Sequence, residues 1–133
     1  TVRKMVYQHG VKSVFLDYAQ LVTGLTGDTQ NEKYENFSRS VKLLARELKI
    51  RIVALSQLTK DVIKENRAPT LGDLRGSLAF GQDADVVIML YNAETDNGIS
   101  KGTEPAMTVA KNRKGKTGKI KGFKYQKEIH LMS

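Results

Sequence analysis

The spacing of apolar residues changes between two periods along the first half of the chain. Residues 11–18 and 50–55 are short runs rich in apolar and β-branched side chains, a composition typical of β-strands. The apolar residues between these runs recur at the spacing of one helix face, about 3.6 residues, and predict a helix over residues 32–49; they are Tyr34, Phe37, Val41, Leu44 and Leu48. A strand, a helix and a strand in this order predict parallel pairing through a right-handed crossover.

The rest of the chain gives a less regular pattern. Residues 86–91 are uniformly apolar, so this segment is predicted to be a strand that is buried on both faces. Residues 92–104 are polar and contain glycine, which predicts a loop. The other predicted elements are a helix over residues 2–9, a partly helical segment over 59–68, helical turns within 70–82, and strands over 107–110, 119–125 and 128–132. The predicted fold class is α/β, a mostly parallel sheet flanked by helices, with antiparallel strands near the C-terminus.

Composition restricts the function classes. The chain has 133 residues, 40% of them hydrophobic, enough for one globular domain with a core. No apolar run is long enough for a transmembrane helix and no signal peptide is recognisable, so no membrane contact is expected. Cysteine is absent, which excludes disulfides and thiolate metal sites from this sequence. The formal net charge of +8 favours contact with polyanions, nucleic acid above all.

Polar side chains end the first two predicted strands. Asp17 follows the first strand and Gln57 follows the second. Because the carboxyl ends of parallel strands share one edge of a sheet, the acid and the amide are expected to face one crevice. An acid can hold Mg²⁺ directly or through water, and an amide can hydrogen-bond a phosphate oxygen. Two ordinary solvated strand ends are the alternative interpretation.

A strongly basic segment runs from Lys111 to Lys121, with six cations in eleven positions. It is either a solvated basic hairpin or a surface that contacts phosphate. Within it, residues 110–117 match a relaxed phosphate-loop pattern, with Ala110 in place of the first glycine. A phosphate loop needs a helix directly after it, whereas the residues that follow have the pattern of a strand. We therefore predict that this segment is not a phosphate loop.

Residues 70–77 form a junction with one cation among small residues. Arg75 is followed by Gly76 and Ser77, and small residues permit close approach of the backbone to a sugar-phosphate chain. A turn between two helices is the alternative. His9 and His130 are isolated in the sequence, and nothing in their positions indicates metal ligation.

Read together, these segments resemble the C-terminal part of the RecA-like motor domain of DnaB-type replicative DNA helicases. The resemblance extends from about residue 5 to about residue 125 and rests on the order and spacing of several motifs. They are VFLDYAQL at 14–21, SRSVKLLAREL at 38–48, VALSQL at 53–58, DLR at 73–75, QDADVV at 82–87 and AKNRKGKTG at 110–118.

The resemblance implies roles for Asp17, Gln57, Lys111 and Arg113. Asp17 resembles the Walker B acid, which holds Mg²⁺ through water, and Gln57 resembles the sensor of the γ-phosphate. Lys111 and Arg113 resemble the cations that one subunit supplies in trans to the ATP of its neighbour. There they would offset the charge that develops on the transferring phosphate.

The segment Arg75, Gly76 and Ser77 falls in the loop that faces single-stranded DNA in the central channel of the family's ring. That loop usually carries Glu after the Arg and Gly two residues later, whereas Gly76 and Leu78 stand at these positions here. This departure suggests a phage, plasmid or otherwise divergent member of the family.

The resemblance implies an ATP-dependent 5′→3′ DNA helicase that uses ATP and Mg²⁺ and works as a homo-hexamer on single-stranded DNA. Primase and a helicase loader are candidate partners, and the cytoplasm of a bacterium or phage-infected cell is the expected location. In this family the phosphate loop and the catalytic Glu precede the matched region. We therefore expect residues 1–133 to be one partial motor domain that is inactive alone. The alternatives are a RecA- or KaiC-like ATPase that is not a helicase, and a non-catalytic DNA-binding fragment.

Overall fold

The computed structural model describes residues 1–65, 67–74, 78–96 and 101–120. Two compact units divide the chain. The first comprises Thr1–Lys60 and Leu71–Ala84, and the second comprises Asp61–Thr70 and Asp85–Ser133. No helix in the described ranges is long and apolar enough to cross a membrane.

The first unit contains the predicted strand–helix–strand arrangement. Its elements are α1 (Val2–His9), β1 (Ser13–Leu16), a 3₁₀ turn (Ala19–Leu21), α2 (Gln30–Leu48), β2 (Arg51–Ala54), a second 3₁₀ turn (Leu71–Asp73) and a short helix (Leu78–Asp83). Helix α3 (Lys60–Lys64) begins at Lys60, the last residue of the first segment of this unit. The short helix Leu78–Asp83 comes after it in the chain and is therefore α4. β1 and β2 pair in parallel from Ser13 opposite Arg51 to Leu16 opposite Ala54, which confirms the predicted pairing.

Helix α2 starts two residues before the predicted position because a capping box fixes its first turn. The Thr29 hydroxyl accepts a hydrogen bond from the Glu32 N–H at 3.2 Å. The Glu32 carboxylate accepts from the N–H groups of Thr29 at 3.0 Å and Asp28 at 2.9 Å. These backbone hydrogen bonds lower the pKa of Glu32, because they favour the charged carboxylate.

α2 packs against α4 to form the interior of the first unit. The Phe80 ring lies 5.9 Å from the ring centroid of Tyr34 and 6.2 Å from that of Phe37. The buried Ser38 hydroxyl donates to the Ala79 carbonyl at 3.3 Å. The predicted apolar stripe of α2 thus supplies two of the three aromatic rings in this contact.

The second unit is built on an antiparallel sheet. β3 (Val86–Asp96), β4 (Lys101–Asn112) and β5 (Gly118–Lys119) pair in that order. Residues 92–96 and 101–104 belong to the hairpin of β3 and β4, so the prediction of a loop throughout 92–104 was wrong. Polar composition is only correlated with loops, and here backbone hydrogen bonding to a partner strand decided the structure instead.

The prediction that residues 86–91 are buried on both faces was also wrong. The exposed fraction is 2% for Met89 but 51% for Ile88 and 60% for Leu90. An antiparallel sheet can cover one face and leave the other open, so an apolar run does not guarantee two buried faces. The predicted strand at 107–110 lies within β4. Of the strand predicted at 119–125, only residues 119 and 120 are described, and the strand predicted at 128–132 lies outside the described residues.

Candidate nucleotide site and basic hairpin

Asp17 and Gln57 leave the parallel sheet at the same edge. Both side chains are exposed, Asp17 directly after β1 and Gln57 shortly after β2. The strands remain joined beyond their last paired residues, because the Leu55 N–H donates to the Leu16 carbonyl at 2.9 Å. The Ala19 N–H in turn donates to the Leu55 carbonyl at 2.9 Å. An acid and an amide therefore stand on adjacent loops that the backbone ties together, as expected for the carboxyl ends of parallel strands.

A third side chain, to which the sequence motifs gave no role, joins these two loops. The Gln20 amide nitrogen donates to the Ser56 hydroxyl at 2.8 Å, and its oxygen accepts from the Gln57 N–H at 3.5 Å. Gln20 and Ser56 are partly buried. The available signal was the position of Gln20 three residues after Asp17, where a polar side chain can return toward the neighbouring strand end.

The carboxylate of Asp17 is suited to hold Mg²⁺. Mg²⁺ prefers oxygen ligands, retains several waters, and is commonly bound by one or two carboxylates together with phosphates of the substrate. The described residues contain no group of three or more metal-ligating side chains that would form an all-protein cage. A single exposed carboxylate at a strand end fits the kind of metal site that a nucleotide completes.

Lys111 and Arg113 lie in the second unit, at the end of β4 and the turn that follows it. Lys111 is partly buried and stands opposite Val87 of β3. The Arg113 N–H donates to the Asp85 carbonyl at 2.9 Å, and its guanidinium Nε lies 3.9 Å from the Asp85 carboxylate. The side chains of Arg113 and Asp85 are both more than half exposed. Their ion pair therefore orients the guanidinium more than it stabilises the fold.

Asn112 organises the turn between the two strands of the basic hairpin, which we define as residues 111–119. Its amide oxygen accepts from the Lys114 N–H at 3.2 Å, and its amide nitrogen donates to the Lys116 carbonyl at 3.5 Å. A Cβ atom on Gly115 would lie only 2.6 Å from that nitrogen. The residue between the two predicted cations therefore shapes the turn, and only glycine at position 115 leaves its amide in place.

The segment that imitates a phosphate loop is this turn. After Lys116 and Thr117 the chain enters β5, which pairs antiparallel with β4 through Thr108 opposite Lys119. A strand rather than a helix N-terminus thus directly follows residues 110–117, so the rejection of a phosphate loop there is confirmed.

Arg75, Gly76 and Ser77, the predicted DNA-contacting residues, lie outside the described residues. The chain before them is held in place: the Thr59 N–H donates to the carbonyl of buried Asp73 at 2.8 Å, and Leu58 forms an antiparallel bridge with Leu74. The chain after them begins α4 at Leu78.

Residues 1–132 match the family described as "DnaB-like helicase C terminal domain". The chain belongs to this family.

Proteins with similar sequences are named as replicative DNA helicases. A relative from Leifsonia xyli subsp. xyli, "Replicative DNA helicase DnaB", is 40% identical over 126 residues, covering 90% of this chain and 27% of the relative. A "Probable plasmid replicative DNA helicase" of Chlamydia trachomatis is 36% identical over 115 residues, covering 86% of this chain and 24% of that protein. The chain thus spans about a quarter of the length of these relatives.

A solved structure, "The Structure Of A DnaB-Like Replicative Helicase And Its Interactions With Primase", matches with a TM-score of 0.72 and 32% identity. The match covers 90% of this chain and 30% of that one. Together with the parallel pair and the antiparallel hairpin, this confirms the predicted RecA-like α/β fold class and the resemblance to DnaB-type helicases.

The two groups of polar residues belong to one chain of the DnaB-like helicase family but lie in different units. The edge with Asp17 and Gln57 belongs to the first unit, and the basic hairpin with Lys111 and Arg113 belongs to the second. The residues that hold each group, Gln20 in one and Asn112 in the other, were present in the matched motifs but had no role assigned from sequence.

Proposed function

We propose that this chain forms the second half of the ATPase motor of a hexameric replicative DNA helicase. The observation that carries the proposal is the shared sheet edge of Asp17 and Gln57 in a chain of the DnaB-like helicase family. In the complete motor, ATP is hydrolysed at subunit interfaces. Hydrolysis drives 5′→3′ translocation along single-stranded DNA and separates the duplex.

Asp17 and Gln57 act on the same ATP from one subunit. Asp17 would hold Mg²⁺, and the ion would supply neutralisation of the negative charge on the phosphates of the nucleotide. The exposed Gln57 amide hydrogen-bonds the terminal phosphate and so distinguishes ATP from ADP. The exposure of both side chains on adjacent loops supports this division of roles.

Lys111 and Arg113 act on the ATP of the neighbouring subunit. Their cationic groups offset the charge that develops on the transferring phosphate. The end of a β-hairpin suits this role, because it carries the half-exposed guanidinium of Arg113 on a backbone fixed by Asp85. A separate segment, residues 75–77, binds DNA: Arg75, Gly76 and Ser77 contact the phosphate backbone of single-stranded DNA. Hydrolysis of ATP moves this segment along the strand.

The partners proposed for the full-length gene product follow from the same family. It assembles as a homo-hexamer around single-stranded DNA and acts in the cytoplasm of a bacterium or phage-infected cell. Primase and a helicase loader are its proposed protein partners. The primase proposal draws on the solved helicase whose name includes its interactions with primase.

A subunit-mixing experiment tests whether ATP is shared between the two groups of residues. In the full-length gene product, Asp17→Asn and Arg113→Ala should each abolish DNA-stimulated ATP hydrolysis. When the two inactive variants are mixed before ring assembly, about a quarter of the interfaces combine an intact Asp17 with an intact Arg113 from the neighbour, since head-to-tail rings pair unlike surfaces. Hydrolysis should reappear in that proportion if the interfaces act independently.

The matched control replaces Arg113→Ala with Lys114→Ala, an exposed cation in the same turn. Lys114→Ala should be active on its own, so its mixture with Asp17→Asn reports only dilution. If the Asp17→Asn and Arg113→Ala mixture stays inactive although mixed rings form, Arg113 does not act in trans. A fork-unwinding assay on the wild type separates a helicase from a RecA- or KaiC-like ATPase, which would hydrolyse ATP without unwinding.

A further inference from the structure

The backbone of Gln20, three residues after Asp17, is held in place by hydrogen bonds. It lies in the 3₁₀ turn Ala19–Leu21, whose first residue is fully buried. The Ala19 N–H is bonded to the neighbouring strand end at Leu55, and the Leu21 N–H donates to the Tyr18 carbonyl at 3.0 Å. The backbone on both sides of Gln20 is therefore fixed, and its side chain leaves from a defined point.

Both ends of the Gln20 amide bond to the loop that carries Gln57. The nitrogen donates to the Ser56 hydroxyl at 2.8 Å, and the oxygen accepts from the Gln57 N–H at 3.5 Å. A side chain that lies 37 residues away in sequence thus restrains the backbone from which the Gln57 side chain projects. A glutamine can make this bridge because one amide group presents a donor and an acceptor together.

We propose that Gln20 is a positioning residue that keeps the loop of Gln57 in register with the loop of Asp17. The inference rests on the proposed function, in which these two side chains act on one nucleotide. The bridge makes the two loops a single unit, so the amide that reads the terminal phosphate stays aligned with the carboxylate that holds the metal. Misplacement of a reacting group by about 1 Å can cost on the order of 100-fold in rate.

A purely structural role for Gln20 predicts a different result. Removal of a partly buried hydrogen bond would then lower the stability of the first unit and leave nucleotide recognition unchanged. A positioning role predicts that discrimination between ATP-like and ADP ligands is lost while the affinity for ADP is kept, because ADP lacks the phosphate that Gln57 contacts.

The test uses three variants of the full-length gene product. Gln20→Met keeps the length of the side chain and removes both hydrogen bonds. Ser56→Ala removes one of them and leaves the bond to the Gln57 N–H. Gln8→Met makes the same chemical change at an exposed position of α1 and is the control. The measurements are kcat and KM for DNA-stimulated ATP hydrolysis, the thermal unfolding midpoint, and the Kd values of fluorescent ADP and of a fluorescent non-hydrolysable ATP analogue.

For Gln20→Met, kcat should fall roughly 10- to 100-fold, and the ratio of the two Kd values should move toward one. The Kd of ADP should change by less than about twofold, and Ser56→Ala should show a smaller loss of the same kind, about 2- to 10-fold for one hydrogen bond. A Gln20→Met protein that unfolds at a lower temperature but keeps the kcat and ratio of Gln8→Met would overturn the positioning role. Because Ser56→Ala perturbs the fold less, it carries the test if Gln20→Met does not fold.

The same experiment separates this inference from the proposed function. If the wild type hydrolyses ATP, Asp17→Asn abolishes hydrolysis and Gln20→Met behaves as Gln8→Met, only the role of Gln20 is wrong. If the wild type shows no DNA-stimulated hydrolysis, or Asp17→Asn leaves it unchanged, the proposed function is wrong and the positioning role is overturned with it.

Discussion

The sheet edge with Asp17 and the basic hairpin position their polar groups by different physical means. At the edge, two loops distant in sequence are joined by backbone hydrogen bonds between neighbouring strand ends and by the Gln20 amide. In the hairpin, Asn112 bonds to residues only two and four positions away. The edge therefore depends on the packing of its whole unit, whereas the turn of the hairpin is specified mostly by its own few residues.

This difference indicates how each region should respond to substitution. Changes that weaken α2 or the parallel strands should disturb Asp17 and Gln57 without altering the hairpin turn. Changes within the turn should redirect its cations without lowering the stability of the first unit. Substitutions confined to one region or the other test this separation.

Removal of the Arg113 guanidinium should have the largest effect. In the full-length gene product, Arg113→Ala should lower DNA-stimulated ATP turnover about 10³-fold or more, the magnitude typical of a cation supplied to phosphoryl transfer. Affinity for a fluorescent ATP analogue should change far less, because the nucleotide is bound mainly by other groups. Steady-state hydrolysis and equilibrium titration measure the two quantities.

Lys114→Ala is the control for Arg113→Ala, since it removes a neighbouring exposed cation from the same turn. It should reduce turnover less than about threefold, because an exposed charge is screened by water and salt. Equal losses in the two variants would mean that the hairpin contributes only its summed charge, and that the position of Arg113 carries no special role.

The shape of the turn should have the next largest effect. Asn112→Ala removes the two hydrogen bonds that span the turn, and Gly115→Ala should displace the same amide because its Cβ would lie 2.6 Å from the Asn112 nitrogen. Each should lower turnover on the order of 10-fold, since each loosens a group that must be aligned. Hydrogen exchange of α2 and β1 should be unchanged.

A double-variant cycle identifies the cause. If Gly115→Ala acts by displacing Asn112, it should have little further effect once Asn112 is alanine, so the two losses should not add. Fully additive losses would show that the glycine matters for another reason, and the local account of the hairpin would be wrong.

The sequence was informative where periodicity and topology decide the outcome. The spacing from Tyr34 to Leu48 predicted α2, and the order strand–helix–strand placed Asp17 and Gln57 at one edge. The strand-like pattern after Thr117 excluded a phosphate loop at the basic turn. Each of these depends on properties of contiguous segments, which a sequence displays directly.

The sequence was less informative where a partner segment decides the outcome. β3 extends through polar residues because β4 pairs with it, and Leu90 is exposed although its neighbours are apolar. The bridge from Gln20 to Ser56 depends on the atomic position of a loop 36 residues away. Single side-chain bonds of this kind have no periodic signature, so motif spacing identified Asp17 and Gln57 but not the residue that joins their loops.

The capping box of α2 should have a moderate effect that is confined to the first unit. Thr29→Ala should lower the free energy of unfolding by about 1 kcal/mol, a common value for loss of an N-cap. Hydrogen exchange should increase in α2 and in β1, whereas exchange in β3 and β4 should be unchanged. An equal increase in both units would contradict the separation between them.

Glu32→Gln tests the same capping box through pH. Backbone hydrogen bonds lower the pKa of Glu32, so the stability that its carboxylate provides is present above the ordinary pKa of a glutamate and is lost as the pH falls through the lowered value. The difference between wild type and Glu32→Gln in urea unfolding should therefore shrink as the pH falls from near neutral to below the ordinary glutamate pKa of about 4.3. A difference that stays constant over this range would show that the carboxylate charge is not involved.

The ion pair between Arg3 and Glu47 should have the smallest effect, although its geometry is good. The guanidinium Nη2 lies 2.7 Å from one carboxylate oxygen and Nε donates to the other at 3.1 Å, but both side chains are about half exposed. Hydrogen bonding to Arg3 lowers the pKa of Glu47, so any stabilisation is present near neutral pH and is lost on acidification. Glu47→Gln should lower the urea midpoint less than Thr29→Ala does at low salt, and by a still smaller amount at about 0.5 M salt, where exposed charges are screened. A larger, salt-independent loss would mean that α1 is held mainly through this contact, and that the edge with Asp17 depends on a surface pair as well as on the packing of α2.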